Sequence, residues 1–380
     1  MEILSGYEKK LNYKFIRYYQ SSGLTCGNSP TRGYKNGRTV DGRVSSPSQS
    51  ASANIISQHH CFNATYEPSN MSIAIAGSGD LTRYLTEELS AANLPVVILA
   101  RSEKPQFKLP GVTQKIVDYD SVPSLLSTLN ETNAVALIST ILTYDKDSFV
   151  TVHKNLIQAA QQSNLCKRFI PSEYGVNVEE YPDQPAFYWD TREPIREILQ
   201  NQSELEWTIV SCGWLMDYIV PARNRYMKDI GDAFPINLAD SRMVIPGTGN
   251  EPVDFVAARD LARALVALVQ APKGSWEKYI YLSGDQISCN KLGELVRARY
   301  PDLKFEVQRL SLTKLVYAVR DARDDFERID AEYKIVTVSG SGHFDPEKVE
   351  RHREKYFGDV RFRSVQEILD AFVQGPDVIV

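Results

Sequence analysis

Cysteine is scarce in this sequence, and the five that occur are scattered along 380 residues. They form no Cys-x-x-Cys pair and no cluster with histidine, so the sequence predicts reduced thiols and no metal site. Long apolar runs are also missing, since none approaches the roughly 20 residues that a membrane-spanning helix requires. The net charge of −5 gives no basic excess for nucleic acid. These absences favour a cytoplasmic protein that binds neither membrane nor nucleic acid, and they leave monomer and homodimer both open.

Residues 1–70 lack a sustained helix or strand period, unlike the rest of the chain. They carry eight Lys or Arg and four Asp or Glu, a net charge of +4. Because so polar a segment buries too little apolar surface to offset its ordering entropy, we expect a disordered extension. Two alternatives stay open: a mitochondrial transit peptide, which is also basic and rich in serine, and a natural start at Met71.

The stretch from Ser72 to Leu89 organises the rest of the chain. An apolar run from Ile73 to Ala76 stops at two glycines, and a helical leucine pattern begins at once. This order is typical of the start of a dinucleotide-binding unit, although an ordinary βα turn has the same pattern. The first glycine permits the sharp turn, and the second lets a pyrophosphate approach the positive end of the helix. We assign these residues to the cofactor: Gly77, Ser78, Gly79, Asp80, Leu81 and Thr82.

The second predicted strand, Leu94 to Arg101, ends in a basic loop. Dinucleotide-binding domains place the residue that contacts the adenosine ribose at this strand end. An acid there binds the 2′-hydroxyl of NAD, whereas an arginine receives the 2′-phosphate of NADP. Because Arg101 holds this position and Lys104 follows closely, we predict NADP(H) as the cofactor. The alternative is a solvated basic loop.

After the N-terminal segment, strand patterns alternate with helical ones. This alternation predicts an α/β fold, a Rossmann-type doubly wound parallel sheet with right-handed crossovers. Ligands bind at the carboxyl ends of such strands, where Ser139, Thr140 and Ser172 fall, so we add these three to the cofactor site. We predict an NADP-binding domain over residues 71–215 and a smaller substrate-covering region over residues 216–380, interleaved with the sheet.

Two helical patterns carry further expectations. Residues 149–163 are amphipathic and predict one helix, with His153 on its polar, solvated face. Residues 311–329 are heavily charged and predict a second helical segment.

One stretch is more specific than these patterns. Lys167-Arg-Phe-Ile-Pro-Ser-Glu-Tyr-Gly175 resembles the fifth-strand signature of the isoflavone-reductase-like and NmrA-like proteins, which are atypical short-chain dehydrogenase/reductases. The glycine loop is shorter than that of the plant reductases and more similar to fungal members associated with small-molecule biosynthesis. The resemblance extends approximately over residues 71–300, with further matching stretches at Asn155–Ala160, Leu205–Thr208, Gly213–Tyr218, Val253–Val256 and Arg259–Ala262.

The resemblance implies NADPH-dependent reduction of a phenolic or polyketide-like substrate, with a lysine as general acid in the plant enzymes. That lysine opens a helix and is followed by an aliphatic residue and an arginine, three and four positions on. Here Ile195 and Arg196 hold the later positions, so Arg192 stands in the place of the lysine. A guanidinium does not release its proton, so Arg192 can stabilise charge but is a poor acid.

A substitute acid is Tyr188, four residues before Arg192, as in the Tyr-x-x-x-Lys spacing of typical short-chain reductases. In a helix this spacing puts both side chains on one face, where the cation favours the phenolate. Pro194 fits best in the first turn of a helix, which leaves open that Tyr188 lies in the preceding loop.

Two further groups have open roles. Ser172 resembles a serine near the nicotinamide, and it could equally cap the turn before Gly175. Several aromatic residues near Arg192 could line a pocket for a planar substrate or belong to a packed core. They are Phe187, Tyr188, Trp189, Trp214 and Tyr218.

Two functions of different classes follow from the sequence. The first is an NADPH-dependent oxidoreductase that reduces an aromatic or polyketide-type small molecule in secondary-metabolite biosynthesis. The second is a catalytically silent, NADP-binding regulator of the NmrA-like kind that acts through a protein partner. The missing lysine favours the regulator, and the aromatic residues around Arg192 favour the enzyme.

Overall fold

The computed structural model describes residues 71–375 and 377–380, so the predictions for residues 1–70 lie outside the described part of the chain. Its strands are β1 (Ser72–Ala76), β2 (Val96–Ala100), β3 (Val112–Ile116), β4 (Ala134–Ser139), β5 (Arg168–Ile170), β6 (Tyr174–Gly175), β7 (Glu206–Trp207), β8 (Ile209–Ser211), β9 (Trp214–Leu215), β10 (Ile236–Asn237), β11 (Arg242–Pro246), β12 (Pro252–Val256), β13 (Tyr279–Tyr281), β14 (Asp285–Ser288) and β15 (Glu306–Leu310). Its α-helices are α1 (Asp80–Ala91), α2 (Val122–Glu131), α3 (Lys146–Gln162), α4 (Phe187–Thr191), α5 (Glu193–Gln200), α6 (Ala258–Gln270), α7 (Cys289–Arg299), α8 (Leu312–Arg320), α9 (Asp325–Ser339), α10 (Pro346–Tyr356) and α11 (Val365–Gln374).

Parallel strands form the main sheet in the order β3-β2-β1-β4-β5-β7. The central strand β1 is buried along its whole length because helices cover both faces of the sheet. Ile73 and Ile75 pack in one core with residues of α1 and α6, whereas Ala74 and Ala76 pack in another with residues of α2 and α3. This is a doubly wound α/β sheet, so the predicted fold class is confirmed.

The second half of the chain packs beside this sheet, and its strand β13 belongs to a separate three-stranded sheet, β13-β8-β6. β13 pairs in parallel with β8, which follows β7 after a single residue, and α6 packs against α1. The other late strands form two small sheets, β10-β11-β15 and β14-β12-β9. Residues after 215 therefore contribute the helix α6 to one face of the main sheet. The predicted domain boundary and the predicted interleaving stay predictions.

Asp217 joins the helix after the glycine turn to the helix beside it. One carboxylate oxygen accepts from the Tyr84 hydroxyl of α1 at 2.9 Å, and the other accepts from the Ala258 N–H at the start of α6 at 2.7 Å. Burial raises the pKa of Asp217 to about 6, and these hydrogen bonds oppose the rise. The N-terminus of α6 is thus capped by a side chain that also fixes α1.

Helix boundaries differ from the predicted ones where side chains cap the backbone. Asp145 accepts from the Ser148 N–H, and α3 therefore begins at Lys146, before the predicted residue 149. The predicted segment 311–329 divides into α8 and α9, since Asp324 caps a new helix by accepting from the Glu327 N–H. In the described part of the chain, no helix combines the length and the apolar character needed to cross a bilayer.

Gly213 provides a test of the packing between β9 and β12. Its φ is +68°, and a Cβ there would overlap the backbone carbonyl of Asp254 on the neighbouring strand. Gly111 has a similar φ of +75°, but a Cβ there would meet nothing within 4 Å. We expect Gly111→Ala to lower the free energy of unfolding by about 1–2 kcal/mol through backbone strain alone. Gly213→Ala should lose roughly a further 1–3 kcal/mol from overpacking.

Urea unfolding of the two variants and the unmodified chain measures both terms. Equal losses in the two variants would show that the strands β9 and β12 tolerate the added atom.

Candidate active site

The glycine turn connects β1 to α1 at the carboxyl edge of the sheet. Gly77 has a φ of +109°, and a Cβ there would lie 2.8 Å from Oγ1 of Thr140 at the end of β4. Thr140 Oγ1 also lies 2.8 Å from Oγ1 of Thr82, which is fully buried. Thr140 therefore lies against both Gly77 and Thr82, and its close approach together with the positive φ requires glycine at position 77.

Gly79 is a different kind of glycine. It is exposed, and a Cβ there would meet nothing within 4 Å, so the protein itself does not require glycine at this position. Gly79 precedes the first turn of α1, which begins at Asp80 without a side-chain cap from Gly79. The N–H groups of a first helical turn lack partners within the helix and favour an anion. This end of α1 is open to a phosphate.

Basic side chains lie beside this turn. The Lys104 ammonium donates to the Ser78 carbonyl at 2.9 Å, and the backbone of Lys104 is fixed by two hydrogen bonds to the Gln114 side chain. Arg101 follows the last residue of β2 and is exposed. The structure thus brings Lys104 to the glycine turn and leaves Arg101 at the strand end, as the sequence placed it.

His153 is buried, which corrects the expectation of a solvated face. Its Nδ1 lies 2.9 Å from the Phe149 carbonyl and its Nε2 lies 2.9 Å from Oγ of Ser139. A carbonyl only accepts, so Nδ1 carries the hydrogen and Nε2 accepts from the Ser139 hydroxyl. Burial lowers the pKa of His153 to about 3, so the ring is neutral near pH 7. The available signal was the i,i+4 spacing from Phe149, which places both rings on the buried stripe of α3.

The remaining predicted cofactor residues lie at the same edge of the sheet. Ser139 is fully buried, and its hydroxyl is held by His153, so the strand end presents backbone to the site and not this side chain. Ser172 is half-buried between β5 and β6, and its role stays a prediction. Asp80 accepts from the Lys228 N–H at 3.2 Å, and Leu81 is half-buried in the first turn of α1.

Tyr188 and Arg192 are one helical turn apart. The Arg192 N–H donates to the Tyr188 carbonyl at 2.8 Å, and Cζ of Arg192 lies 4.8 Å from the centre of the Tyr188 ring. Tyr188 therefore lies in α4 and not in a loop, while Pro194 occupies the first turn of α5, as expected. The chain forms two short helices in succession. This arrangement accommodates both the helical spacing of Tyr188 and Arg192 and the preference of Pro194 for a first helical turn.

Arg192 is 3% exposed and lies among aromatic rings. Its Cζ lies 4.1 Å from the centre of the Phe149 ring and 5.3 Å from that of Phe187. Nη1 donates to Oγ1 of Thr191 at 2.8 Å, and Nε has no acceptor. The guanidinium is therefore positioned by ring stacking rather than by an acid.

The environment of Tyr188 makes it a weak acid. Burial raises the pKa of Tyr188 to about 12, and the charge of Arg192 opposes this rise. The hydroxyl lies close to β6, where a Cβ on Gly175 would be 3.1 Å from it. Tyr188 is therefore fully protonated near pH 7 and is held beside a cation.

Most of the predicted aromatic group forms one connected set, but Trp189 does not belong to it. Trp189 is 56% exposed and points away from the group. The other rings are joined through two that the sequence reasoning missed, Tyr333 of α9 and Phe234. The ring-centre distances are 5.2 Å for Phe187–Tyr333, 5.6 Å for Trp214–Tyr333, 5.7 Å for Trp214–Phe234 and 5.2 Å for Tyr218–Phe234.

Glu173 is a third residue that the sequence analysis did not identify. It is buried, with one carboxylate oxygen 3.8 Å from Nη1 of Arg196. Burial raises the pKa of Glu173, and the charges of Arg196 and Arg192 oppose the rise. The available signal was its position inside the Lys167–Gly175 signature.

Comparison with known proteins decides the family. The NmrA-like family matches residues 69–321. The chain belongs to the NmrA-like family. Two curated relatives, both called oxidoreductase swnR, come from Arthroderma benhamiae and Metarhizium robertsii. Each is 46% identical over 310 residues, which are 81% of this chain and 100% of the relative.

Solved structures of low sequence identity share the NmrA-like fold. Leucoanthocyanidin reductase from Vitis vinifera, in a ternary complex, has a TM-score of 0.63 at 19% identity over 80% of this chain and 99% of that chain. AtPrR2 with NADP⁺ and (+)-pinoresinol has a TM-score of 0.62 at 16% identity, again over 80% and 99% of the two chains. The resemblance inferred from the sequence is confirmed.

The neutral state of His153 gives a pH-dependent prediction for stability. Its pKa is about 3 in the folded chain against an ordinary 6.5, so only the unfolded chain takes up the proton between these values. The free energy of unfolding therefore falls as the pH drops below about 6.5, by up to roughly 1.4 kcal/mol per pH unit from this group. We expect the stability of the His153→Gln variant to lack the part of the pH dependence that comes from this histidine.

Denaturant unfolding at several pH values from about 6.5 down to about 4.5 measures the effect. The difference in stability between the two chains should shrink as the pH falls. Parallel stability curves would mean that His153 is protonated in the folded chain.

Proposed function

We propose that this member of the NmrA-like family is an NADP(H)-dependent oxidoreductase that reduces an aromatic or polyketide-type small molecule in secondary-metabolite biosynthesis. The observation that carries the proposal is the buried pair of Arg192 and Tyr188 beside the ends of the parallel strands. The names of the swnR relatives, which are 46% identical, support an oxidoreductase. The NADP⁺ bound to AtPrR2, a protein of the same fold, supports the cofactor.

The residues of the glycine turn fit a dinucleotide phosphate. Gly79 leaves open space at the uncapped start of α1, and Lys104 supplies a positive charge at Ser78, 2.9 Å from its carbonyl. Arg101, at the end of β2, would receive the 2′-phosphate of NADP. NADPH, when bound, supplies the hydride.

The chain's own residues supply charge and a proton. Arg192 stabilises negative charge on the substrate, because a desolvated guanidinium acts more strongly than one in water. The Tyr188 hydroxyl donates the proton, and the nearby cation stabilises the phenolate that remains. The rings of Phe187, Trp214 and Tyr333 exclude water from a planar substrate.

A silent regulator remains the second candidate, and one observation favours it. Burial raises the pKa of Tyr188 to about 12, so this hydroxyl gives up its proton less readily than an ordinary tyrosine. The protein also has Arg192 in the place of the family lysine. A regulator would bind NADP(H) and a protein partner, and it would turn over no substrate.

Arg101 tests the choice of cofactor. We expect NADPH to bind at least about tenfold more tightly than NADH, because a charge-assisted phosphate contact contributes roughly 1.5–3 kcal/mol. Arg101→Asp should narrow or reverse this preference. Lys108→Asp is the matched control, since it changes the same charge at an exposed position of the same loop and should leave the preference intact.

Titration calorimetry with both nucleotides gives the affinities. Equal affinities of the unmodified chain for NADPH and NADH would refute the assignment of Arg101.

Arg192 and Tyr188 test the chemistry. Arg192→Ala should lower turnover by about 10²–10³ with little change in NADPH affinity, because a preorganised charge is lost. Arg192→Lys should keep part of the activity. Tyr188→Phe should cost a similar factor, and the two losses should not add, since the residues act as a unit. Trp189→Phe, in the same helix but exposed, is the control and should leave turnover unchanged.

Turnover is measured as NADPH consumption with a panel of quinones, enones and phenolic substrates. If the unmodified chain binds NADPH, reduces nothing in the panel and captures a protein partner only with nucleotide present, the regulator is the correct function.

A further inference from the structure

Four arginines are buried in the described part of the chain, and Arg192 differs from the other three. Each of the others pairs with a carboxylate: Arg168 with Glu206, Arg196 with Glu193 and Arg225 with Asp229. Each also donates to backbone carbonyl oxygens. The fold therefore neutralises every other buried guanidinium that it contains in this part.

Arg192 has no such partner. Within the described residues no carboxylate oxygen lies within 4.0 Å of it, and its one side-chain hydrogen bond goes from Nη1 to Oγ1 of Thr191. The buried acid nearby, Glu173, lies 3.8 Å from Arg196 instead. The charge of Glu173 acts on Arg192 but forms no ion pair with it, and the Arg192 Nε–H stays buried without an acceptor. A desolvated guanidinium with an unpaired N–H is unfavourable, so the protein gains by binding an anion there.

The geometry of the donors defines what that anion is. One N–H of Nη1 donates to Thr191, and on the other side of the guanidinium Nε is buried without an acceptor beside Nη2. Nε and Nη2 form one edge of the planar guanidinium and donate in parallel. Two parallel donors match the two oxygens of a carboxylate.

The rings closest to the guanidinium are flat and largely apolar. The guanidinium carbon lies 4.1 Å from the centre of the Phe149 ring and 4.8 Å from that of Tyr188. Beyond them Trp214 carries an indole N–H that is buried without an acceptor, and its ring lies 5.6 Å from Tyr333. Aromatic rings with a single polar handle suit a planar, conjugated body.

We propose that Arg192 binds a carboxylate that the substrate carries before it reacts, so that the substrates are planar, unsaturated carboxylic acids. This inference rests on the proposed function and narrows it. If negative charge appeared on the substrate only during the reaction, Arg192 would be needed for turnover but not for substrate binding. A carboxylate present from the start also makes Arg192 necessary for binding, and that difference can be measured without turnover.

The test uses trans-cinnamate and its neutral isostere cinnamamide, titrated calorimetrically into the full chain with NADP⁺ present. We expect cinnamate to bind at least about tenfold more tightly than cinnamamide. Arg192→Gln should abolish this preference, and Arg192→Lys should keep part of it. Arg299→Gln should leave it intact, because Arg299 also stacks on a ring, that of Phe372, at 5.0 Å, but outside the aromatic group around Arg192.

The comparison of the two isosteres in the unmodified chain does not depend on any variant being stable. Equal affinities there, or a preference that survives Arg192→Gln in a chain with an unchanged melting temperature, would overturn the inference. The outcomes separate it from the proposed function. Cinnamate binding through Arg192 without any NADPH-dependent reduction supports the inference and refutes the oxidoreductase. Reduction of neutral carbonyls with no effect of cinnamate supports the oxidoreductase and refutes the inference.

Discussion

A guanidinium buried without a direct ion pair to an acid is the constraint on which the candidate site depends. Arg192 is 3% exposed, and three rings surround it. Ring faces attract a cation, but they contribute about 0.5–2 kcal/mol each and do not replace the solvation that it loses. Glu173 is buried nearby, and its charge acts on Arg192 without forming an ion pair with it. We therefore infer that the site favours negative charge on a group that enters it. This preference belongs to the folded chain and exists before any cofactor or substrate arrives.

A short series of contacts connects the Arg192 guanidinium to the glycine turn. Thr140 closes the glycine turn, and its neighbour Ser139 donates to His153 at 2.9 Å. The rings of His153 and Phe149 stack with their centres 4.0 Å apart, and Arg192 stacks on Phe149 at 4.1 Å. Because His153 is buried and neutral, it adds no charge to the site. The end of β4 and the helix α3 thus help to position the Arg192 guanidinium at the carboxyl edge of the sheet.

Local patterns made part of this predictable from the sequence. The glycines at 77 and 79 and Arg101 could be placed because strand, turn and helix follow one another along the chain. The i,i+4 spacing related Tyr188 to Arg192 for the same reason. Tyr333 could not be placed, since it reaches the aromatic group from a helix far along the chain. The burial of His153 was missed because histidine is a polar residue and was expected to face solvent. Its position on the apolar stripe of α3 determines its burial instead.

The replacement of the family lysine by Arg192 separates two roles that one residue otherwise combines. A lysine can hold charge and release a proton, but a guanidinium can only hold charge. In the proposed mechanism the proton comes from Tyr188, whose pKa of about 12 reflects burial opposed by the charge of Arg192. A substrate carboxylate on that guanidinium would remove part of this opposition and raise the pKa further. Tyr188 would therefore stay protonated when the substrate binds, and it would become a stronger donor only as negative charge builds on the oxygen that it faces.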